Sequence, residues 1–360
     1  MMEEGLQPKI SWEQGTGYDL FISLAVLHSP ERFGLRASWA AGVRSRLATE
    51  ERKTLEQAEK LFQSPLQWVY SLPQPRDASS VIWALRQVPT AERLAALTLY
   101  TGGDPQLAEV LQRVMAKRGW NDADLETLRD AYRRERHETL RPKALAEILD
   151  IWKQPEMFGE RYLAAIQAYY QVFFAEEEQR ILPALEQGVA QARHMAAQMA
   201  LPELFEQLSQ GVTIPDLLER AELIFVASFW CTPLVFIRKL DERRALLTFG
   251  VRPADASLVP GEVVPDALLQ ALKAMADPTR LRILRYLAQE PLAPAELARR
   301  LRLRAPTVTH HLSALRLAGL VHITLEAGDE RHYTARQETI ENLQKQIKDF
   351  LVKPMNEVKE

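Results

Sequence analysis

The chain has 360 residues, 47% of them hydrophobic and 26% charged, with a formal net charge of −3. That length exceeds one ordinary core and suits two or three domains, and the composition is that of a globular chain, which excludes general disorder. The near-neutral balance excludes a global pull towards nucleic acid or anionic membrane, so any polyanion contact has to be local. A single cysteine, Cys231, excludes an internal disulfide framework and a cysteine-rich metal site.

At the start, MMEEGLQPKISWEQ lacks a basic segment followed by an apolar run, so no signal peptide is expected. From about Tyr18 to Leu208, leucines and alanines recur at three- and four-residue spacing. Turn residues and prolines in segments such as HSPERF, TGGDPQ, GWNDAD and KQPEMFG cut this stretch into about ten helices. The aromatic run YYQVFF, Tyr169 to Phe174, is read as helix core first and as a pocket lining second.

The pattern then changes. LIFVASFW, PLVFIRKL and RALLTFGV are short runs rich in β-branched and aromatic residues, and they predict a three-strand antiparallel meander at about 223–250, packed on the helical body. Within it, Leu223 to Ile237 is too short to span a bilayer, which takes about 20 residues, and Pro233 breaks it. A cytoplasmic protein with no membrane contact is the expectation. Cys231 is read as a packing thiol rather than a redox switch.

Three prolines and a glycine in RPADASLVPGEVVP mark an exposed connection, which divides a body of residues 1–255 from a domain of residues 263–360. From Val263 to Glu360 there are fifteen Lys and Arg against twelve Asp and Glu, a net of +3 that leaves −6 for residues 1–262. Arg280 to Arg304 holds seven arginines against Glu290 and Glu296. A basic module is thus attached to an acidic one.

Inside the module, Asp277 caps a helix opened by Pro278, with Leu281, Ile283, Leu284 and Leu287 read as its buried stripe. Ala293 to Leu301 forms a second short helix, and a brief turn, Arg302 to Ala305, leads into a third, RAPTVTHHLSALRLAGL. Two helices joined by so short a turn form a helix-turn-helix unit. At about 100° per residue, Val308, Leu312 and Leu315 share a narrow arc. Pro306, Thr309, His310 and Ser313 lie opposite, with Thr307 and Arg316 on the flanks. The outward arc has hydroxyls and imidazoles but no lysine or glutamate, and short polar side chains let a helix sit deep in a major groove. The arginines up to Arg304 are read as phosphate contacts in part. His310 and His311, as adjacent helical residues, point too far apart to chelate one ion.

After Gly319, LVHITLEAGDERHYTA reads as a β-hairpin turning at Ala327 to Asp329, and Glu338 to Leu351 as an amphipathic helix whose apolar stripe seeks a second chain or the body. LKAMADPTRLRILRYL, PAELARRLRLRAPTVTHHLSALRLAGLV and GDERHYTA together resemble the ArsR-type winged helix-turn-helix regulators over Leu268 to about Leu351. ISWEQGTGYDLFISLAVL and FWCTPLVF resemble the uncharacterised N-terminal regions of long members of that family.

The resemblance implies a homodimeric repressor that places two recognition helices on a palindromic double-stranded operator. It implies DNA contacts at Thr307, Thr309, His310, His311 and Ser313, although the helical wheel puts His311 nearer the core. Pro306, Arg304, Arg316 and the wing's Arg331 complete the expected DNA face. Two positions depart from the family: Ala305 stands where a capping serine is usual, and Asp329 where a basic wing residue is usual. The family's metal ligands are missing, since Pro294, Ala295 and Leu297 occupy the first location and no histidine follows His332.

The expected protein is therefore mainly α, a large N-terminal helical domain with a small antiparallel sheet followed by a winged helix-turn-helix domain. It is expected to be a non-enzymatic DNA-binding regulator without metal or cofactor, its body sensing an unknown small-molecule effector. The alternative is an enzyme or partner-binding body that uses the winged domain for autoregulation or dimerisation.

Overall fold

The computed structural model describes residues 8–136, 139–253, 256, 264–325 and 330–352. Its first element is a strand, β1 (Lys9–Glu13). The helices of the body follow: Thr16–His28 (α1), Ala37–Ser45 (α2), Thr49–Leu61 (α3), Leu66–Ser71 (α4), Ala78–Gln87 (α5), Arg93–Thr98 (α6), Pro105–Lys117 (α7), Asp122–Arg136 (α8), Pro142–Lys153 (α9), Pro155–Tyr169 (α10), Ala175–Ala196 (α11), Leu201–Leu208 (α12) and the short Pro215–Leu218 (α13). Prolines open α7, α9, α10 and α12, where a missing N–H costs nothing. Asp77 and Asp104 cap α5 and α7 through backbone amides of the first turn.

A π-helical turn, Tyr170–Phe174, joins α10 to α11. It carries the YYQVFF aromatics, of which Tyr169, Phe173 and Phe174 are buried. Tyr169 donates to Ser23 Oγ at 2.9 Å, and the Phe173 ring meets Trp39 and Trp230. This run is core.

The body's sheet is mixed, which corrects the antiparallel meander expected of it. β2 (Val212–Thr213) lies apart; β3 (Glu222–Ser228), β4 (Ile237–Lys239) and β5 (Arg244–Gly250) join β1 in the order β1-β3-β5-β4. β1 and β3 run parallel with Ser11 opposite Ile224, and β3 and β5 run parallel with Phe225 opposite Leu247. Only β4 and β5 form a hairpin, with Asp241 accepting from the amides of Arg243 and Arg244 at its turn. The physical reason lies in β3, every residue of which from Leu223 to Ser228 is buried. A strand covered on both faces is characteristic of parallel pairing, and residues 229–236 carry the chain across before β4 begins. Asp19 of α1 pins that crossing, accepting from Ser228 Oγ at 2.6 Å and from the amides of Phe229 and Trp230 at 3.1 and 2.9 Å.

The C-terminal region has its own buried cluster, which includes Ile283, Leu287, Leu297, Val308, Leu312, Leu315 and Tyr333. It comprises α14 (Asp266–Met275), α15 (Pro278–Leu287), α16 (Pro294–Leu301), α17 (Ala305–Leu317), the hairpin β6 (Val321–Leu325) and β7 (Arg331–Ala335), and α18 (Gln337–Val352). The α15 stripe holds with one correction: Leu281 is 46% exposed, because Ile283, Leu284 and Leu287 already fill the inward arc. Gly319, at φ +67°, makes the left-handed turn that ends α17 and starts β6. Leu292 and Tyr333 exchange backbone hydrogen bonds of 3.0 Å, a single bridge on the outer edge of β7.

Candidate nucleic-acid interface

The exposed face of α17 follows from how its other face is held. Val308, Leu312 and Leu315 are at most 1% exposed and lock the helix onto α15 and α16. On the other side of the helix and at its start, Arg304, Ala305, Pro306, Thr307, Thr309, His310 and Ser313 all face solvent. Thr309 Oγ1 donates to Ala305 O at 3.1 Å and Ser313 Oγ to Thr309 O at 2.9 Å. These bonds hold the hydroxyls close to the rod, with oxygen lone pairs turned outward as acceptors.

The helix begins with Arg304 in the capping position and no side-chain cap. Thr307 and Val308 both donate to Arg304 O, and Pro306 has no N–H, so the alanine at position 305 leaves little unsatisfied. His311 lies at the edge of the core, its side chain 15% exposed and its Nδ1 3.9 Å from Asp277 Oδ1 at the cap of α15. Asp277 accepts from the Arg280 amide, which holds its carboxyl below the usual range.

Arg316 is placed differently from the expected DNA contact. It is 5% exposed, and its guanidinium donates to Ser209 O at 2.7 Å and Gln210 O at 3.0 Å, both in the body. Burial pulls its pKa down to about 10. The helical wheel puts Arg316 on a flank, and the 209–211 turn of the body covers that flank.

The same turn leads into β2, which pairs in parallel with β6: Val212 lies opposite Ile323, Thr213 opposite Thr324, and Ile323 N donates to Gly211 O at 2.8 Å. Gln210 and Gly211 take positive φ, +56° and +91°, to make the corner. Beside it, His322 lies with Nδ1 3.0 Å from Glu206 and Nε2 3.5 Å from Glu338. Gln270 of α14 adds a bond to Gly34 O at 2.5 Å. The body is thus latched to the wing and to the end of α17. Sequence reasoning missed the β2 strand; the Val-Thr-Ile run after Gly211 could have marked it, but nothing local names its partner.

Of the arginines around the helix-turn-helix, Arg282, Arg285, Arg302 and Arg304 are exposed and form no ion pair among the described residues. Arg300 instead bonds Glu290 at 2.5 Å and Glu296 at 2.7 Å. Arg331 is exposed at the start of β7, opposite Leu325. The wing turn, Ala327 to Asp329, lies outside the described residues. Cys231 is buried, and burial pushes its thiol up to about 12.

Residues 275–324 match the family model described as a helix-turn-helix domain. The C-terminal region carries a helix-turn-helix domain. Over 74 residues, 21% of this chain, the sequence is 42% identical to proteins named HTH-type transcriptional regulator CmtR from Mycobacterium bovis and Mycobacterium tuberculosis. The match spans 63% of the length of these curated relatives. No helix among the described residues is long and apolar enough to cross a membrane.

Proposed function

We propose that the chain is a sequence-specific DNA-binding transcriptional regulator of the ArsR type, acting as a dimeric repressor whose helical body responds to a small-molecule effector. One observation carries the reading: α17 turns Thr307, Thr309, His310 and Ser313 outward together while three apolar residues on its reverse hold it to the domain. A B-DNA major groove is about 12 Å wide and admits such a helix, whose hydroxyl and imidazole groups meet base edges. Arg282, Arg285, Arg302, Arg304 and Arg331 supply phosphate contacts around it. The names of the CmtR relatives support the same reading.

The dimer is supported by α18. Leu343, Ile347 and Phe350 pack on Leu268, Ala271 and Met275, while Leu272, Leu351 and Val352 stay 41%, 74% and 82% exposed. Joined through that stripe, two copies would present their α17 helices to successive major grooves, about one helical turn apart.

Binding of the protein to DNA from upstream of its own gene tests the reading. A steep fall in affinity with added salt is expected, together with loss of sequence preference in His310→Ala. Specific binding that survives loss of the Thr309, His310 and Ser313 side chains would refute it. Sedimentation of Leu351→Glu should show monomer; a dimer of unchanged strength would move the interface to the body.

A further inference from the structure

Between α11, α12 and the end of β5 lies an open cavity of about 360 Å³, in the size range of small-molecule sites. Phe249 and Leu208 bring apolar surface to its lining, which also includes Gln191, Gln207, Gln210 and Arg252. No aspartate or glutamate lines it among the described residues.

The arginine is only partly satisfied. Its Nη2 donates to Thr232 O at 3.0 Å, whereas Nη1 is closed off from solvent with no hydrogen-bond partner among the described residues. Burial holds its pKa down at about 10; Arg180 disfavours its charge further, and Asp266 and Cys231 oppose that. A guanidinium in this state gains from an anion that supplies an acceptor, and because Nη1 itself is closed off, the anion meets the part of Arg252 that lines the cavity or draws Nη1 outward. One arginine, partly offset by Asp266, matches a single negative charge better than a phosphate dianion, and the apolar part of the lining calls for an apolar body behind that charge.

The cavity wall is also the latch. Gln207, Leu208 and Gln210 face the cavity, while the carbonyls of Ser209 and Gln210 on the same segment hold Arg316 of α17. A ligand that reshapes this segment therefore acts on the recognition helix across a single turn of chain.

We propose that the cavity binds a small organic monocarboxylate, its carboxylate on Arg252 and the glutamine amides and its apolar part on Phe249 and Leu208, and that occupancy reaches α17 through residues 207–211. The regulatory half rests on the DNA-reading role proposed above; the binding half does not. A ligand shifts the DNA affinity only as far as it binds the latched and released arrangements differently.

The full-length protein is titrated in a calorimeter with benzoate, with hexanoate and with the neutral isostere benzamide. At least one carboxylate should bind saturably, and benzamide at least tenfold more weakly. Arg252→Met should weaken carboxylate binding at least tenfold. So should Ala184→Phe, which adds bulk at the cavity lining without removing a polar group and should leave the melting temperature near that of the wild type. Anisotropy titrations with upstream DNA should show at least a threefold change in affinity at saturating carboxylate, lost in Arg316→Met although that variant still binds the carboxylate. No saturable binding of either carboxylate, equal binding of benzamide, or binding unchanged in both cavity variants overturns the site. Binding that is lost in the variants but leaves DNA affinity unmoved overturns the transmission. A protein that binds no DNA at all overturns the DNA reading and leaves the calorimetric result to decide the site.

Discussion

Replacing Arg316 by methionine separates a latch from a DNA contact. In the structure its guanidinium makes two charge-assisted bonds, of 2.7 and 3.0 Å, to carbonyls of the body. Hydrogen bonds to charged groups contribute about 1.5–3 kcal/mol each, so the gross loss is about 3–6 kcal/mol. The variant no longer bears the cost of burying a guanidinium, which a pKa held down at about 10 reflects, and this offsets part of the loss. Two carbonyls left without a donor, at about 1–3 kcal/mol each, take part of it back. A net loss of about 2–4 kcal/mol is expected, confined to the junction, because methionine keeps the aliphatic packing.

Hydrogen exchange should then speed up in residues 209–213 and 321–325 well before the cores of either region open. Against upstream DNA, the slope of log affinity on log salt should stay as in the wild type. Arg304→Met is the contrast: Arg304 is exposed at the start of α17, so its loss should reduce the slope by about 0.9. Its effect on stability should stay within about 0.5 kcal/mol. A slope lowered by about one unit in Arg316→Met, with exchange at the junction unchanged, would mean that Arg316 holds a phosphate and that the latch does not form.

Asp19→Asn should destabilise the body by about 1–3 kcal/mol in chemical denaturation, because its NH₂ opposes the Phe229 N–H that Oδ2 now accepts, while the retained oxygen still serves Ser228 and Trp230; no measurable loss would contradict the pin. His322 is held below its ordinary range, near 6.5, first by burial, with Arg336 and Arg316 acting the same way and Glu206 and Glu338 opposing them. The unfolded chain therefore takes up the proton first, so stability is complete above about pH 6.5 and declines as the pH falls below it. Melting temperatures of the wild type should fall relative to His322→Gln between about pH 7 and pH 5; a difference that is flat across this range contradicts the assignment. With its thiol pushed up to about 12 and buried, Cys231 should resist iodoacetamide at pH 8 in the native protein and react promptly in guanidinium. Rapid native labelling would show that the strand region opens.

The helix-turn-helix was legible because its signals are local. Asp277 as a cap, Pro306 in the first turn, Gly319 at the end and the Val308-Leu312-Leu315 spacing each act within a few residues, and each stands where the sequence put it. Leu281 and Arg316 were misplaced for the opposite reason. The wheel defines an arc, but what covers its flanks comes from elsewhere in the chain, and Arg316 meets residues more than a hundred positions away. The direction of β3 against β5 was partly legible: LIFVAS has no polar alternation, as befits a strand buried on both faces. Its partner β1 was not, because KISWE is short and half-exposed, with no period long enough to count.

Edge pairing limits how the body and the wing can move against each other. β6 is covered on one side by β2 and on the other by β7, and β7 is bridged in turn by Leu292, so the wing keeps no long free edge. Sliding β2 by one residue would turn Val212 from its buried side to the other, and sliding it by two would carry Ser209 and Gln210 away from Arg316. Graded sliding is therefore costly, and a junction that gives way at all would release rather than slip in register. The most that an effector can transmit through it is the free energy of the latch, about 2–4 kcal/mol, which corresponds to about 30- to 1000-fold in DNA affinity. A response beyond that range would need a route other than residues 207–213, such as the Gln270 contact with Gly34 or the α18 stripe.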